Sequence, residues 1–377
     1  MASTGLYRAY AALLVGALVP IVAGSRSSLV MPKSAKRKLR AATRGKQGEV
    51  DGEDDEDEDE VVERMTREDA YFFPILGSCV LLFLFLCFKY LDPVWLNRIL
   101  GGYLATMAVS GLSRATAKLA RSAMGEKRYR SLAQWSMVLT KNKEEYSQLS
   151  FRSTYFYTTP VAVLISLAQV YTGNWVLSNV VALTFAYNAI SLLYLDSFIT
   201  GSVLLAGLFF YDIWWVFGSK RVFGSGANVM VDVAKSFDAP IKIVFPKDLS
   251  TASDFTLLGL GDIVLPGIFL ALALRFDYHL ALERVAVPFK PHAERFAKPY
   301  FYTCFAAYII GLATTILAMH TFRAAQPALL YLSPACIASV AACALVRGEG
   351  AKLWAYVDGE DDEKKEGEAR GREKKEE

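Results

Sequence analysis

The chain lacks the short motifs that mark several large enzyme classes. Its 377 residues contain no HExxH motif, which argues against a zinc metalloprotease, and no GxSxG elbow, P-loop or dinucleotide-binding glycine fingerprint. No Asn-x-Ser/Thr sequence occurs, so N-glycosylation is not expected. Neither hydrolysis by an elbow serine nor nucleotide binding is therefore indicated.

Side chains that bind transition metals are few and scattered. None of the five cysteines has the CxxC spacing of a zinc site, and all five fall inside apolar runs: Cys79, Cys87, Cys304, Cys336 and Cys343. We interpret them as small buried apolar side chains. The three histidines, His279, His292 and His320, lie outside such runs or at their ends. No metal site is predicted.

Apolar residues, in contrast, are abundant and continuous. They make up 53% of the chain and recur in runs of about 17–22 residues, the length that crosses a bilayer. We predict an all-α polytopic membrane protein with nine transmembrane helices. The predicted spans are 6–23, 71–91, 96–113, 156–172, 175–195, 199–218, 255–274, 300–319 and 327–346. The net charge of +3 is spread over tails and loops, and no nucleic-acid partner is expected.

The distribution of basic residues predicts the orientation of the spans. A basic cluster follows the first span, whereas Arg8, at the start of the span, is the only basic residue at its other end. This span is therefore expected to stay as an anchor with its N-terminus lumenal. The loops 114–150 and 275–299 are then cytosolic and basic, as the rule requires. The connector 219–254 is also basic but would be lumenal, which disagrees with the rule. The majority of loops favour a lumenal N-terminus and a cytosolic C-terminus.

Two charged segments are predicted to remain unfolded. Residues 32–65 pass from a basic run to "DGEDDEDEDE", and the tail from Asp358 is almost entirely charged. Lys374 and Lys375 stand fourth and third from the end, where a dilysine pair is a retrieval signal to the endoplasmic reticulum. The chain thus divides into five regions: 1–31 with the first span, 32–70 a cytosolic loop, 71–195 with spans two to five, 196–347 with spans six to nine, and 348–377 a cytosolic tail.

Two aspartates lie within apolar spans, where a charge is costly. Asp212 stands about six residues, or roughly 9 Å, before the end of its span, and Asp262 about seven residues, or roughly 10–11 Å, after the start of the next. Both of these span ends face the connector 219–254, so the two carboxyls are predicted at the same depth. Two adjacent carboxyls in a low dielectric cannot both ionise, and the pair would hold one proton.

Such a pair is the acid–base arrangement of aspartic proteases, in which a carboxylate activates water and an acid polarises the scissile carbonyl. Gly259 and Gly261 would let an extended substrate approach Asp262 closely. Pro327 opens the last span from the same face, which brings Pro327, Ala328 and Leu329 towards the pair; a simple helix start is the alternative.

Other roles of the two acids stay open on this evidence. A membrane aspartate can hydrogen-bond between helices, although neither span offers a Lys, Arg or His as a partner. Paired acids also carry ions in transporters and leak channels. A binding or scaffold protein that retains the motifs without catalysis is the third alternative.

Three motifs together resemble the GxGD intramembrane aspartyl proteases, to which the presenilins belong. They are Tyr211-Asp212, Gly259-Leu260-Gly261-Asp262 and Pro327-Ala328-Leu329, the last preceded by Gln326. The text around them, "YDIWWVFGS", "LGLGDIVLPGIFLALALRFD" and "QPALLYLSPAC", is similar to the signal peptide peptidases of the endoplasmic reticulum, and the likeness runs from about Phe72 to the end.

The resemblance implies a presenilin-like fold of nine helices with Asp212 and Asp262 as the catalytic pair. Tyr211, Gly259, Leu260, Gly261 and the segment Gln326 to Leu329 would shape the site and hold the substrate. It further implies, as substrates, remnant signal peptides and other type II-oriented transmembrane helices. Implied partners are further copies of the chain and components of reticulum-associated degradation. No metal or organic cofactor is implied, since water is the co-substrate.

The chain departs from that family pattern at one place near the predicted site. About eight residues, from Lys220 to Ala227, extend the run that follows the span of Asp212. The extra residues lie just beyond the end of the Asp212 span, where a tolerated loop insertion is expected and an effect on substrate entry is the alternative.

Overall fold

The computed structural model describes most of the chain and shows it to be mostly helical. The described residues are 2–44, 63–125, 128–129, 131–141, 144–219, 222, 233, 236, 239–247, 255–285, 287–291, 296–322 and 326–359. The helices are α1 Ala2–Ser27, α2 Lys33–Arg44, α3 Arg67–Tyr90, α4 Pro93–Met124, α5 Thr154–Thr172, α6 Trp175–Leu192, α7 Phe198–Ile213, α8 Gly261–Glu283, α9 Pro299–Phe322, α10 Leu329–Arg347 and α11 Gly350–Ala355. The strands are β1 Glu63–Met65, β2 Gln134–Lys141, β3 Glu144–Arg152, β4 Leu193–Leu195, β5 Lys242–Pro246 and β6 Phe255–Gly259.

Seven helices in the described part of the chain are long and apolar enough to cross a bilayer. They are Gly5–Ser27, Arg67–Tyr90, Trp175–Leu192, Phe198–Gly218, Gly261–Glu283, Pro299–Phe322 and Leu329–Arg347. The chain is therefore a polytopic membrane protein. Two further long helices, α4 and α5, are more polar: α4 carries Arg98, Arg114, Lys118 and Arg121, and α5 is rich in threonine and tyrosine. The count of nine spans stays a prediction.

Helix α8 forms the centre of the helical assembly. Its residues from Pro266 to Tyr278 are buried without interruption, and α1, α6, α7, α9 and α10 surround it. Glycines allow close approach of the neighbours. A Cβ atom on Gly267 would lie 2.6 Å from Cδ1 of Ile190, and one on Gly201 would lie 2.7 Å from Cδ2 of Phe269. The helix that carries Asp262 is thus fixed on all sides.

Three two-stranded sheets correct the all-α prediction. β1 pairs parallel with β4, whereas β2 and β3 form an antiparallel hairpin in which Gln134 lies opposite Arg152. The hairpin falls in the predicted loop 114–150, whose first residues instead extend α4 to Met124. β5 and β6 pair antiparallel, with Lys242 opposite Gly259.

The seventh span begins later than predicted. The sequence placed it at 255–274, but residues 255–259 are strand β6 and α8 starts only at Gly261. Gly259 and Gly261 are weak helix formers, and the backbone of this stretch bonds to β5 instead. Asp262 consequently lies in the first turn of α8 rather than about two turns inside a helix.

The charged segment predicted at 32–70 contains regular structure. α2 occupies Lys33–Arg44, and α3 begins at Arg67 rather than at residue 71. A capping box explains this earlier start: the Thr66 hydroxyl accepts the backbone N–H of Asp69, and the Asp69 carboxylate accepts the backbone N–H of Thr66. Residues 45–62, which include the acidic run, lie outside the described residues.

The first part of the predicted tail packs against the helices. Asp358 binds three parts of the chain. Its carboxylate accepts Arg275 Nε on α8 at 2.8 Å and also the Tyr356 hydroxyl. Its backbone N–H donates to the Asp196 carbonyl. Burial raises the pKa of Tyr356 well above its ordinary value, so this hydroxyl stays a donor. Arg275 also bonds Ser28 Oγ at the end of α1. Lys374 and Lys375 lie outside the described residues.

The two ends of α1 contact different parts of the helical assembly. Its end, at Ser28, meets Arg275 and accepts the hydroxyl of Tyr194 at 2.7 Å. Its start, at Gly5, lies against the backbone carbonyl of Lys247, directly after β5. The start of α1 and the β5–β6 sheet therefore share one end of the molecule.

Candidate active site

Asp212 lies in the last turn of α7 and is buried, with 2% of its surface exposed. The chain continues directly into a π-helical turn, Trp214–Gly218, a feature that is rare and often found at functional sites. Within this turn the Trp215 indole donates to Ser78 Oγ on α3 at 3.1 Å. The helix end that carries Asp212 is thereby attached to α3.

The carboxylate of Asp212 is bound by the start of α10. Its Oδ2 accepts the backbone N–H of Leu329 at 3.1 Å. The first N–H groups of a helix have no partner within the helix, and the dipole there favours a negative charge. Pro327, Ala328 and Leu329 are all buried. Leu329 thus contacts Asp212 through its backbone, while Gln326 is half-buried at the entry to this segment.

Asp262 stands where the β5–β6 sheet passes into α8. The backbone N–H of Leu260 bonds the Ile241 carbonyl next to β5, and the Leu260 carbonyl accepts the N–H groups of Ile263 and Val264. Leu260 therefore links the sheet to the first turn of the helix. Asp262 itself is half-buried, in contrast to the fully enclosed Asp212.

The two acids come together, although not by the route predicted from span lengths. α7 contacts α8, and the carboxyls are close enough for the charge of Asp212 to act on Asp262. Tyr211 is half-buried beside them and lies against Gly77, where a Cβ atom would be 3.6 Å from its ring. One acid is thus enclosed by protein and the other is accessible from one side.

The two motif glycines lie differently around Asp262. A Cβ atom on Gly259 would be 3.4 Å from Oδ2 of Asp262, so this glycine borders the carboxyl directly. A Cβ atom on Gly261 would meet only Cδ1 of Leu265 at 3.9 Å, and Gly261 is exposed. Gly261 therefore leaves open space beside the acid.

Two residues at this site were not found from the sequence. The Tyr308 hydroxyl on α9 donates to the backbone carbonyl of Asp262 at 3.3 Å. The Asn179 carboxamide on α6 binds both backbone groups of Val244 in β5: its Nδ2 donates to the carbonyl at 2.7 Å and its Oδ1 accepts the N–H at 2.9 Å. Both side chains bind backbone groups, which every residue has, so the sequence contains no residue pattern that predicts these contacts.

The apparent insertion, Lys220 to Ala227, lies outside the described residues except for Val222. The described residues place one acid at the end of α7 and the other at the start of the neighbouring helix α8. One acid accepts a helix N–H, and the other adjoins open space. Two acids that share a proton can activate water and polarise a carbonyl.

Comparison with known proteins identifies the family of the chain. The family model described as Signal peptide peptidase matches residues 56–360. Signal peptide peptidase of Mus musculus is 39% identical over 360 residues, which cover 93% of this chain and 84% of that protein; the Homo sapiens protein of the same name is 38% identical with the same coverage. A probable intramembrane protease of Schizosaccharomyces pombe is 34% identical over 308 residues, 82% of this chain and 89% of that protein. The chain belongs to the signal peptide peptidase family and is an intramembrane peptidase.

Proposed function

We propose that the chain is an aspartyl endopeptidase in which Asp212 and Asp262 activate water. The observation that carries the proposal is that Asp212, in the last turn of α7, accepts the N–H of Leu329 at the start of α10, while Asp262 begins the neighbouring helix α8. Residues from all three motifs lie at this junction: Asp212, Gly259 with Asp262, and Leu329.

In the proposed reaction the pair holds one proton at the outset. The carboxylate takes a proton from water as the water oxygen attacks the peptide carbonyl carbon, and the protonated acid donates to the carbonyl oxygen. The acid that took a proton from water then gives it to the peptide nitrogen, the C–N bond breaks, and the other carboxylate takes a proton back from a hydroxyl of the tetrahedral intermediate. The products are a carboxylic acid and an amine, and the two acids again share one proton.

The surroundings of Asp262 support an extended substrate. The outer edge of β5 is bound by Asn179, and β6 has no second partner strand among the described residues. A substrate segment unwound from its helix can therefore pair with β6, which leads directly to Gly259, Gly261 and the acid. The open space at Gly261 gives such a backbone room to approach.

The substrates and cellular setting follow from the family. We propose that remnant signal peptides and other type II-oriented transmembrane helices are cleaved in the endoplasmic reticulum, and that some membrane proteins are removed this way for degradation. We further propose nine spans, a lumenal N-terminus, and a cytosolic C-terminus with Lys374 and Lys375 as retrieval signal. The contact of Gly5 with Lys247 supports one common side of the membrane for the N-terminus and β5. Further copies of the chain and degradation components are the proposed partners.

Isosteric substitution of each acid tests the proposed reaction. Asp212→Asn keeps an oxygen that can accept the Leu329 N–H, so the variant is expected to fold, as is Asp262→Asn. In proteoliposomes with a synthetic signal peptide, each is expected to lower the cleavage rate by at least about 10³-fold, the scale of losing an acid–base group. Glu283→Gln, at the far end of α8, is the control and should retain wild-type cleavage. Wild-type cleavage by either aspartate variant would disprove the assignment.

A further inference from the structure

A proline removes a hydrogen bond from the backbone of Asp262. In an α-helix each carbonyl accepts the N–H of the residue four positions later. For Asp262 that residue is Pro266, which has no N–H. The carbonyl of Asp262 is therefore left without its helical donor in the first turn of α8.

A tyrosine from another helix supplies a donor to this carbonyl. Tyr308 lies in the middle of α9 and is completely buried. Its hydroxyl donates to the Asp262 carbonyl at 3.3 Å, and a buried hydroxyl without such a partner would be costly. The bond that Pro266 removes within α8 is thus replaced by a bond between α8 and α9.

Helix α10, which packs against α9, binds the second acid. Three residues after Tyr308, Gly311 packs α9 against α10, since a Cβ atom there would be 3.1 Å from Cδ2 of Leu332. α10 begins at Leu329, whose N–H binds Asp212. The α9–α10 pair therefore binds both acids. Tyr308 binds the backbone carbonyl of Asp262, and the N–H of Leu329 binds the carboxylate of Asp212.

We propose that Tyr308 is a positioning residue that aligns the Asp262 carboxyl with Asp212. This inference rests on the proposed function of the two acids. Tyr308 acts on the backbone of Asp262 and thereby fixes the first turn of α8 relative to α10. Small displacements of a reacting group lower the rate strongly, so loss of this bond is expected to affect the chemical step more than substrate binding.

The test is Tyr308→Phe, which removes one oxygen and keeps the buried ring. We expect kcat per active site to fall about 3- to 10-fold, the effect of one hydrogen bond, with KM changed less than about 2-fold. Active sites are titrated with an aspartyl-protease transition-state analogue, so that any misfolded fraction is excluded from kcat. Tyr300→Phe is the matched control. This tyrosine is equally buried on α9, but it lies at the start of the helix and its hydroxyl binds Glu349 rather than Asp262. Its kcat should match the wild type.

A second variant tests whether the Tyr308 bond is needed because Pro266 has no N–H for the Asp262 carbonyl. Pro266→Ala restores an N–H at the position that bonds the Asp262 carbonyl in a regular helix. In this background Tyr308→Phe is expected to cause no further loss of kcat. An equal loss of kcat in both backgrounds, or a wild-type kcat for Tyr308→Phe alone, would overturn the inference.

Failure here differs from failure of the proposed function. If Asp262→Asn is inactive and Tyr308→Phe has the wild-type kcat, only the positioning role is wrong. If Asp262→Asn cleaves like the wild type, the assignment of the acids is wrong as well.

Discussion

Asn179 is expected to stabilise both the sheet and the site to which it leads. Its carboxamide binds the N–H and the carbonyl of Val244, as a neighbouring strand would do at the edge of β5. β5 in turn pairs with β6, and the next residues, Leu260 and Asp262, begin α8. Asn179→Ala removes both bonds without introducing a charge.

The expected loss of unfolding free energy follows from the number of hydrogen bonds that Asn179→Ala removes. Each contributes about 0.5–1.5 kcal/mol net, so the pair amounts to about 1–3 kcal/mol of unfolding free energy. The site is partly exposed and water can replace part of the loss, which favours the lower half of that range. A looser sheet also lets the start of α8 move, so cleavage per folded molecule should fall by about 3- to 10-fold.

Unfolding by denaturant in mixed micelles measures the stability, and cleavage of a synthetic signal peptide measures the activity. Asn188→Ala is the matched control, because Asn188 lies on the same helix and donates to the backbone carbonyls of Gly111 and Thr184, away from the sheet. The control should lose stability but retain its cleavage per folded molecule. Equal losses of cleavage in the two variants, or wild-type behaviour of Asn179→Ala, would refute the reasoning.

Two further substitutions separate stability from activity. Gly261→Ala adds a methyl group in open space at the start of α8, so unfolding free energy should rise by up to about 1 kcal/mol while kcat/KM falls about 10-fold; unchanged kcat/KM would contradict the open approach. Arg275→Met removes the cation bound to the half-buried carboxylate of Asp358, which keeps its bond from the Tyr356 hydroxyl, and should cost about 3 kcal/mol, the low end for a buried pair. Adding Asp358→Asn should recover part of that loss in the same unfolding assay, and strictly additive losses would argue against the pair.

The membrane helices and the meeting of the acids could be predicted from sequence because their signals are local. Long apolar runs fix the spans, and two aspartates on either side of one connector must approach each other if consecutive helices are antiparallel. The same argument assumed that Asp262 lay inside a helix. Glycines flanking Leu260 make a strand equally compatible with an apolar sequence, and only the partner β5 decides between them.

Other features depend on contacts that no local pattern reveals. Tyr308 and Asn179 bind backbone groups 46 and 65 residues away, and neither residue stands out among the tyrosines and asparagines of the apolar runs. The sequence does contain one indication of the Tyr308 contact. Pro266 stands four residues after Asp262, so the carbonyl of Asp262 needs a donor from outside its own helix. High charge argues against folding of residues 33–44, yet these residues form α2, in which the apolar Ala35, Leu39 and Ala42 recur on one face.

Photolabelling with an aspartyl-protease transition-state analogue tests most directly whether Asp212 and Asp262 form one active site. The analogue carries a hydroxyl in place of the scissile carbonyl and a photoactivatable group, and it is applied to the purified, detergent-solubilised protein. We predict labelling of the wild type that excess unlabelled analogue suppresses, and loss of this labelling in both Asp212→Asn and Asp262→Asn. Suppressible labelling that persists at wild-type strength in either variant would contradict the account.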